Sequence, residues 1–229
     1  KLGDYAFALC NSWGKMPDCG DGGGIRAPAN LYSFFENTVG KQVKLTVNDR
    51  PSSDGAHEVT VVPIDSDSKL RYLDWVATNR RIVAEATNGR VGYIHVPNTS
   101  VSGLNEFSSS FYSEMRKEGL VVDVRYNAGG MIPDMFIERL DRQLLSYWVP
   151  REGKLAQTPM AAQVGPKVCI INEYAGSGGD ALPYYFRLRK LGPLVGMRTW
   201  GGLVGYRRII PLMDGGTVTV PEIGFLNLE

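Results

Sequence analysis

Histidine is scarce in this chain, and cysteine nearly as scarce. Only His57, His95, Cys10, Cys19 and Cys169 are present, and no two cysteines are spaced C-x-x-C. That pattern argues against a disulfide framework and against a zinc site. The spacing leaves a Cys10–Cys19 bridge open, while Cys169 lies in an apolar run and reads as a small core residue rather than a nucleophile. Charge of one sign is also missing. With 25 basic and 24 acidic residues the net charge is +1, which gives no electrostatic footprint for nucleic acid or an anionic membrane surface. No apolar run approaches the ~18 residues of a membrane span. The first residues, Lys1-Leu2-Gly3-Asp4, do not read as a signal peptide and leave the compartment open. The Gly22-Gly23-Gly24 run lacks the Lys-Ser/Thr of a phosphate loop, so no cofactor and no metal is expected.

A hydrophobic content of 43% supports a core, and 229 residues suffice for one large domain or a domain and a half. Residues 11–24 are rich in Gly, Asp and Pro and read as irregular. Residues 31–38 have helical spacing. Residues 43–47 and 58–63 read as strands joined by a turn-rich segment, which predicts a hairpin. A polar linker at residues 65–69 sets the expected boundary between a region 1–64 and a domain 65–229. Residues 70–87 read as a helix with Leu70, Leu73, Trp75, Val76, Ile82 and Val83 on its packing face.

Beyond residue 90 strands and helices alternate. Strands are predicted at 91–96, 120–124, 167–171, 194–196, 208–212 and 218–220. Helices are predicted at 104–117, 131–147 and 181–191, the first with Phe107, Phe111 and Met115 at helical spacing. This alternation predicts an α/β layer fold with several parallel strands.

The most informative stretch is Asn172-Glu173-Tyr174-Ala175-Gly176-Ser177-Gly178-Gly179-Asp180. An apolar strand breaks at small residues and re-enters as a helix, which sets a serine hydroxyl at a helix N-terminus. Unpaired backbone N–H groups there suit a developing oxyanion. A tight turn with Ser177 as N-cap explains the same letters. A second turn, Asn127-Ala128-Gly129-Gly130, follows another apolar strand, and functional groups gather at the carboxyl ends of strands in such sheets. Glycines there allow close approach of a backbone N–H, or merely satisfy the turn. The base is the missing part. His57 lies in the first region and His95 reads as a hydrogen-bonded strand residue. Asp180, in the first helical turn, suits the helix dipole.

Taken together, residues 123–130, 172–180 and 198–202, with Tyr93-Ile94-His95-Val96-Pro97 and residues 30–38, resemble the tricorn-type proteases, relatives of the tail-specific C-terminal processing peptidases. The resemblance covers residues 26–229. It implies a crotonase-like ββα peptidase domain preceded by a partial PDZ-like, β-rich region. It implies Ser177 as nucleophile, with an oxyanion hole formed by Gly178 and either Gly129 or Gly130. His95 matches a non-catalytic strand residue. Family members often carry an acidic residue where Gly178 stands, and the tail-specific branch carries its lysine base where Gly202 stands. The tricorn branch draws a histidine and a glutamate from regions that would lie before residue 1 and beyond residue 229. The resemblance therefore implies a serine peptidase acting on peptides through an acyl-enzyme, with its relay outside this chain. It also implies a cytoplasmic homo-oligomer, hexameric in such enzymes, with the periplasm left open. A catalytically inactive peptide-binding relative is the alternative.

Overall fold

The computed structural model describes residues 35–49, 54–206 and 208–228. The expectations for residues 11–24, for Cys10 and Cys19, and for residues 31–34 of the segment 31–38 lie outside the described residues. By its contacts the chain divides after Tyr72 into two compact units.

In the first unit, β1 (Val43–Val47) and β2 (His57–Val61) pair antiparallel, with Val43 opposite Val61 and Val47 opposite His57. The predicted hairpin is formed. Residues 35–38 make a turn rather than helix, closed by the Thr38 N–H on the Phe35 carbonyl at 3.2 Å. Asn37 at φ 61° is in the left-handed region, which no continuing helix tolerates.

Helix α1 (Ser68–Ala86) spans the division. Its expected packing face is only partly right. Leu70, Leu73 and Ile82 are exposed. The half-buried stripe runs instead through Trp75, Val76, Asn79, Arg80, Val83 and Ala84, at helical spacing. Polar members of that stripe find partners: Arg80 pairs with Glu114 at 3.6 Å, and Asn79 accepts from Arg125 at 3.4 Å. A stripe with charged members is invisible to a count of apolar residues.

In the second unit, β3 (Val91–His95), β4 (Gly119–Asp123), β7 (Lys167–Ile171) and β8 (Leu194–Gly196) form a four-stranded sheet in that order. Every neighbouring pair is parallel. Register sets Ile94, Val122, Cys169 and Leu194 side by side across the sheet. The first three are fully buried, and burial pushes the Cys169 thiol well above its ordinary pKa. Crossovers return through α2 (Val101–Glu114), α3 (Pro133–Leu140) and α4 (Gly178–Leu188). The fold is thus mixed α/β with a parallel sheet.

Helix α3 is shorter than its apolar pattern predicts. Pro133 opens it, and the chain leaves it at Asp141 to form β5 (Ser146–Trp148), paired antiparallel with β6 (Ala156–Thr158). Residues 146 and 147, the end of the predicted helix, belong to a hairpin strand, not to a last helical turn. A second small hairpin pairs β9 (Ile209–Pro211) with β10 (Thr217–Thr219).

The core lies where α2 and α3 meet the sheet. Phe107 and Phe111 occupy successive turns of α2 and stack at 5.5 Å, and Phe107 meets Phe136 of α3 at 5.1 Å. All three rings are fully buried. Among the described residues no helix is long and apolar enough to cross a membrane. Truncating Phe107 to Ala empties the middle of this ring cluster. Such a loss costs about 3–5 kcal/mol, and urea unfolding of the variant should show the midpoint lowered accordingly.

Candidate functional site

Parallel strands place their carboxyl ends on one edge of the sheet. The turns after β4 and β7 therefore arrive together, although far apart in sequence. Ser177 is the N-cap of α4, exposed, at φ 56° and ψ −116°. An L-residue pays steric strain in that region, and such strain persists only where neighbours over-determine the backbone. A strained serine on a strand-to-helix turn is how a nucleophile is pushed clear of its sheet.

The neighbour is the Gly129–Gly130 turn. A Cβ added to Gly129 would stand 2.8 Å from the Ser177 Cβ and 3.3 Å from its Oγ. One added to Gly178 would overlap Thr99 Oγ1 and the Gly130 carbonyl oxygen, and stand 2.9 Å from the Gly130 nitrogen. The two turns pack backbone to backbone, which glycine alone permits. Their amides differ in availability. The Gly129 N–H donates to Asn127 Oδ1 at 2.8 Å. Among the described residues the Gly130 and Gly178 N–H groups have no acceptor.

Asn127 joins the parts, and sequence reasoning assigned it no role. It is fully buried. Its Nδ2 donates to the Val96 carbonyl at 2.7 Å, at the end of β3, and its Oδ1 takes the Gly129 N–H. Its own carbonyl accepts the Gly176 N–H at 3.1 Å, one residue before Ser177. Its position two residues before a double glycine was the available signal. Asn172 acts similarly, accepting the Tyr126 N–H at 2.9 Å and holding Tyr126 at φ 61°.

Asp180 is buried in the first turn of α4. Its Oδ1 accepts the Gly201 N–H at 2.7 Å, so it fixes the loop after β8 as well as facing the helix dipole. In that loop the backbone N–H of Trp200 donates to the Ala175 carbonyl at 2.9 Å. Its ring lies against Gly176, where an added Cβ would stand 2.8 Å from Cε3. A Cβ on Gly202 would overlap the same ring. Glycine at 202 thus follows from the tryptophan beside it.

His95 stands away from this turn, on β3. Its Nε2–H donates to the Arg125 carbonyl at 2.8 Å, and its ring meets Trp75 edge-on at 4.9 Å. Burial pushes its pKa below 6.5, only partly offset by that hydrogen bond. Beside it, Asp123 is fully buried and receives the Tyr93 hydroxyl at 2.6 Å and Arg125 Nη2 at 2.6 Å. Burial, then the Asp123 carboxylate, raises the Tyr93 pKa, so the phenol stays protonated and donates. His57 lies on β2, in the first unit. Among the described residues no side chain hydrogen-bonds Ser177 Oγ. The structure brings together Ser177, Gly178, Gly129 and Gly130, and brings no histidine to them.

The sequence pattern of Peptidase family S41 matches residues 90–228. The tricorn protease of Thermoplasma volcanium is 41% identical over 194 residues, covering 84% of this chain and 19% of that protein. A tricorn protease homolog of Saccharolobus solfataricus is 41% identical over 207 residues, covering 90% of this chain and 19% of its own length. The crystal structure of the tricorn protease superposes with a TM-score of 0.79 at 38% identity, over 90% of this chain and 20% of that one. The chain thus spans about a fifth of the length of the relatives it matches.

Replacing Asn127 by Ala would strand the Val96 carbonyl and the Gly129 N–H in a buried place. At about 1–3 kcal/mol for each buried group left unsatisfied, the variant should lose several kcal/mol by chemical denaturation. Protonation of His95 gives a separate prediction. The folded state binds its proton less readily than the unfolded chain, whose imidazole titrates near 6.5. Its contribution is complete above that pH and is lost as pH falls below it toward the lowered folded value. A stability–pH profile should slope downward there, and His95→Gln should flatten the slope.

Proposed function

The chain belongs to peptidase family S41, and we propose that its second unit cleaves peptide bonds by an acyl-enzyme route on Ser177. The observation that carries this reading is the strained serine turn beside two unpartnered amides. Ser177 sits at φ 56° on the β7–α4 turn, with the Gly178 and Gly130 N–H groups free at the same spot. Ser177 Oγ attacks the peptide carbonyl carbon, and its proton passes to a base. The carbonyl oxygen gains the charge and is met by the amides of Gly178 and Gly130. The C–N bond then breaks, the leaving amine takes the proton, and water releases the acyl group by the same path. Of the two glycines, Gly130 is the better donor, because the Gly129 N–H is already spent on Asn127.

The base comes from neither histidine of this chain. His95 is engaged with the Arg125 carbonyl two strands from β7, and a lysine at 202 would meet the Trp200 ring. A proton relay from residues outside this chain fits the resemblance to the tricorn branch. On the same footing we assign a crotonase-like ββα arrangement to residues 65–229 and a partial PDZ-like region to residues 1–64. We also assign a homo-oligomeric, hexameric assembly and a cytoplasmic setting. The lack of any side chain on Ser177 Oγ favours one second reading, an inactive peptide-binding relative.

Labelling with a fluorophosphonate separates the two. The longer protein carrying this chain should label at Ser177, Ser177→Ala should not, and His95→Gln should label nearly as the parent does. Residues 1–229 alone should label poorly, since a serine without a base is a weak nucleophile. Absence of labelling in the longer protein would leave the peptide-binding reading. A loss near 10⁴-fold in His95→Gln, the size seen on removing a triad member, would make His95 the base.

A further inference from the structure

Thr99 is fully buried, and its hydroxyl has no hydrogen-bond partner among the described residues. A buried polar group left in that state is unfavourable and asks for a reason. Its surroundings give one. The Thr99 N–H donates to the Gly129 carbonyl at 2.8 Å, and the Thr99 carbonyl accepts the Ile132 N–H at 3.0 Å. The backbone of Thr99 therefore grips the turn on both sides of Gly130. Its side chain faces the other turn, with Oγ1 lying where a Cβ on Gly178 would stand. One residue touches both candidate oxyanion donors.

Resting on the reading of Ser177 as nucleophile, we propose that Thr99 is a positioning residue, whose hydroxyl is the spacer that sets the Gly178 amide against the Gly130 amide. The hydroxyl is unsatisfied because it is there for its size. A C–H···O contact closes to about 3.3–3.6 Å, whereas two carbons rest at about 3.5–4.0 Å. A methyl at the Oγ1 position would push the first turn of α4 outward by a few tenths of an ångström. Amides meant to meet one oxygen tolerate little displacement. Thr99 itself does not touch substrate, since it has no exposed surface.

Thr99→Val and Thr99→Ser, made in the longer protein that carries this chain, test the spacer. Val keeps the shape and thickens the contact, while Ser keeps the oxygen. The maximal fluorophosphonate labelling rate of Thr99→Val should fall about tenfold, given that a displacement of ~1 Å costs about a hundredfold. The half-saturating probe concentration should stay within about twofold. Thr99→Ser should label within about threefold of the parent. A crystal structure of Thr99→Val should show the Gly178 nitrogen moved away from the Gly130 nitrogen. Unmoved nitrogens, a Val variant at the parent's rate, or a Ser variant that falls as far as Val would each overturn the spacer. Should Thr99→Val fail to fold, Thr99→Ser is judged against the parent: labelling within about threefold supports the spacer, and a fall of about tenfold or more overturns it. Should the parent not label, the reading of Ser177 fails, and the nitrogen positions in the crystal still decide the role of Thr99.

Discussion

Asn127 is the constraint on which the site depends. Three segments meet at its one side chain and carbonyl: the end of β3 at Val96, its own turn at Gly129, and the β7–α4 turn at Gly176. That junction fixes the residue before Ser177 and so helps to hold the Ser177 backbone at φ 56°. The amide of asparagine suits this position because it donates and accepts from one rigid plane. An aspartate could not donate to Val96, and a leucine could do neither. The parallel sheet supplies the larger frame, since only parallel neighbours deliver the turns after β4 and β7 to one edge.

A second polar assembly lies beside the first and does different work. Asp123, at the last position of β4, is buried and satisfied by the Tyr93 hydroxyl, the Arg125 guanidinium and the Arg125 N–H. The guanidinium carbon then lies 5.0 Å from the Trp75 ring centroid, and Trp75 meets His95 and Tyr126 edge-on. Each of these donors to Asp123 is a hydrogen-bond partner for the buried carboxylate oxygens. The assembly couples α1 to the sheet and fixes the direction in which the chain leaves β4. It also holds His95, whose ring meets Trp75 edge-on and whose Nε2 is engaged with the Arg125 carbonyl.

Much of this was legible in the letters. The strands at Lys167–Ile171 and Leu194–Gly196 were bounded correctly, because an apolar run ending in small residues has one reading. The proximity of Gly129–Gly130 to Ser177 followed from strand polarity alone. Legibility failed where contacts mix chemistry. The half-buried stripe of α1 includes Asn79 and Arg80, so a face drawn from apolar residues kept Trp75, Val76 and Val83 but wrongly took in Leu70, Leu73 and Ile82. Residues 141–147 read as the end of a helix, but Ser146–Trp148 extend to pair with Ala156–Thr158, a non-local partner that no local pattern reveals. The part of Asn127 was hidden for another reason. Hydrogen bonds to backbone carbonyls leave no complementary residue type in the sequence to betray them.

The site is built from backbone more than from side chains, and this orders its tolerance to change. What position 178 offers is an N–H with no acceptor among the described residues. In this chain the place a Cβ would take there is filled by Thr99 Oγ1 and the Gly130 carbonyl. Here glycine at 178 and threonine at 99 are one packing solution, and any side chain at 178 requires a different residue or backbone at 99. The same logic joins Gly202 and Gly176 to Trp200, whose ring occupies the space that side chains at both positions would need. Each of these glycines is thus paired with a bulky or polar neighbour that fills the space a side chain would take: Gly178 with Thr99, Gly202 with Trp200. A side chain at either position therefore requires a change at its partner as well.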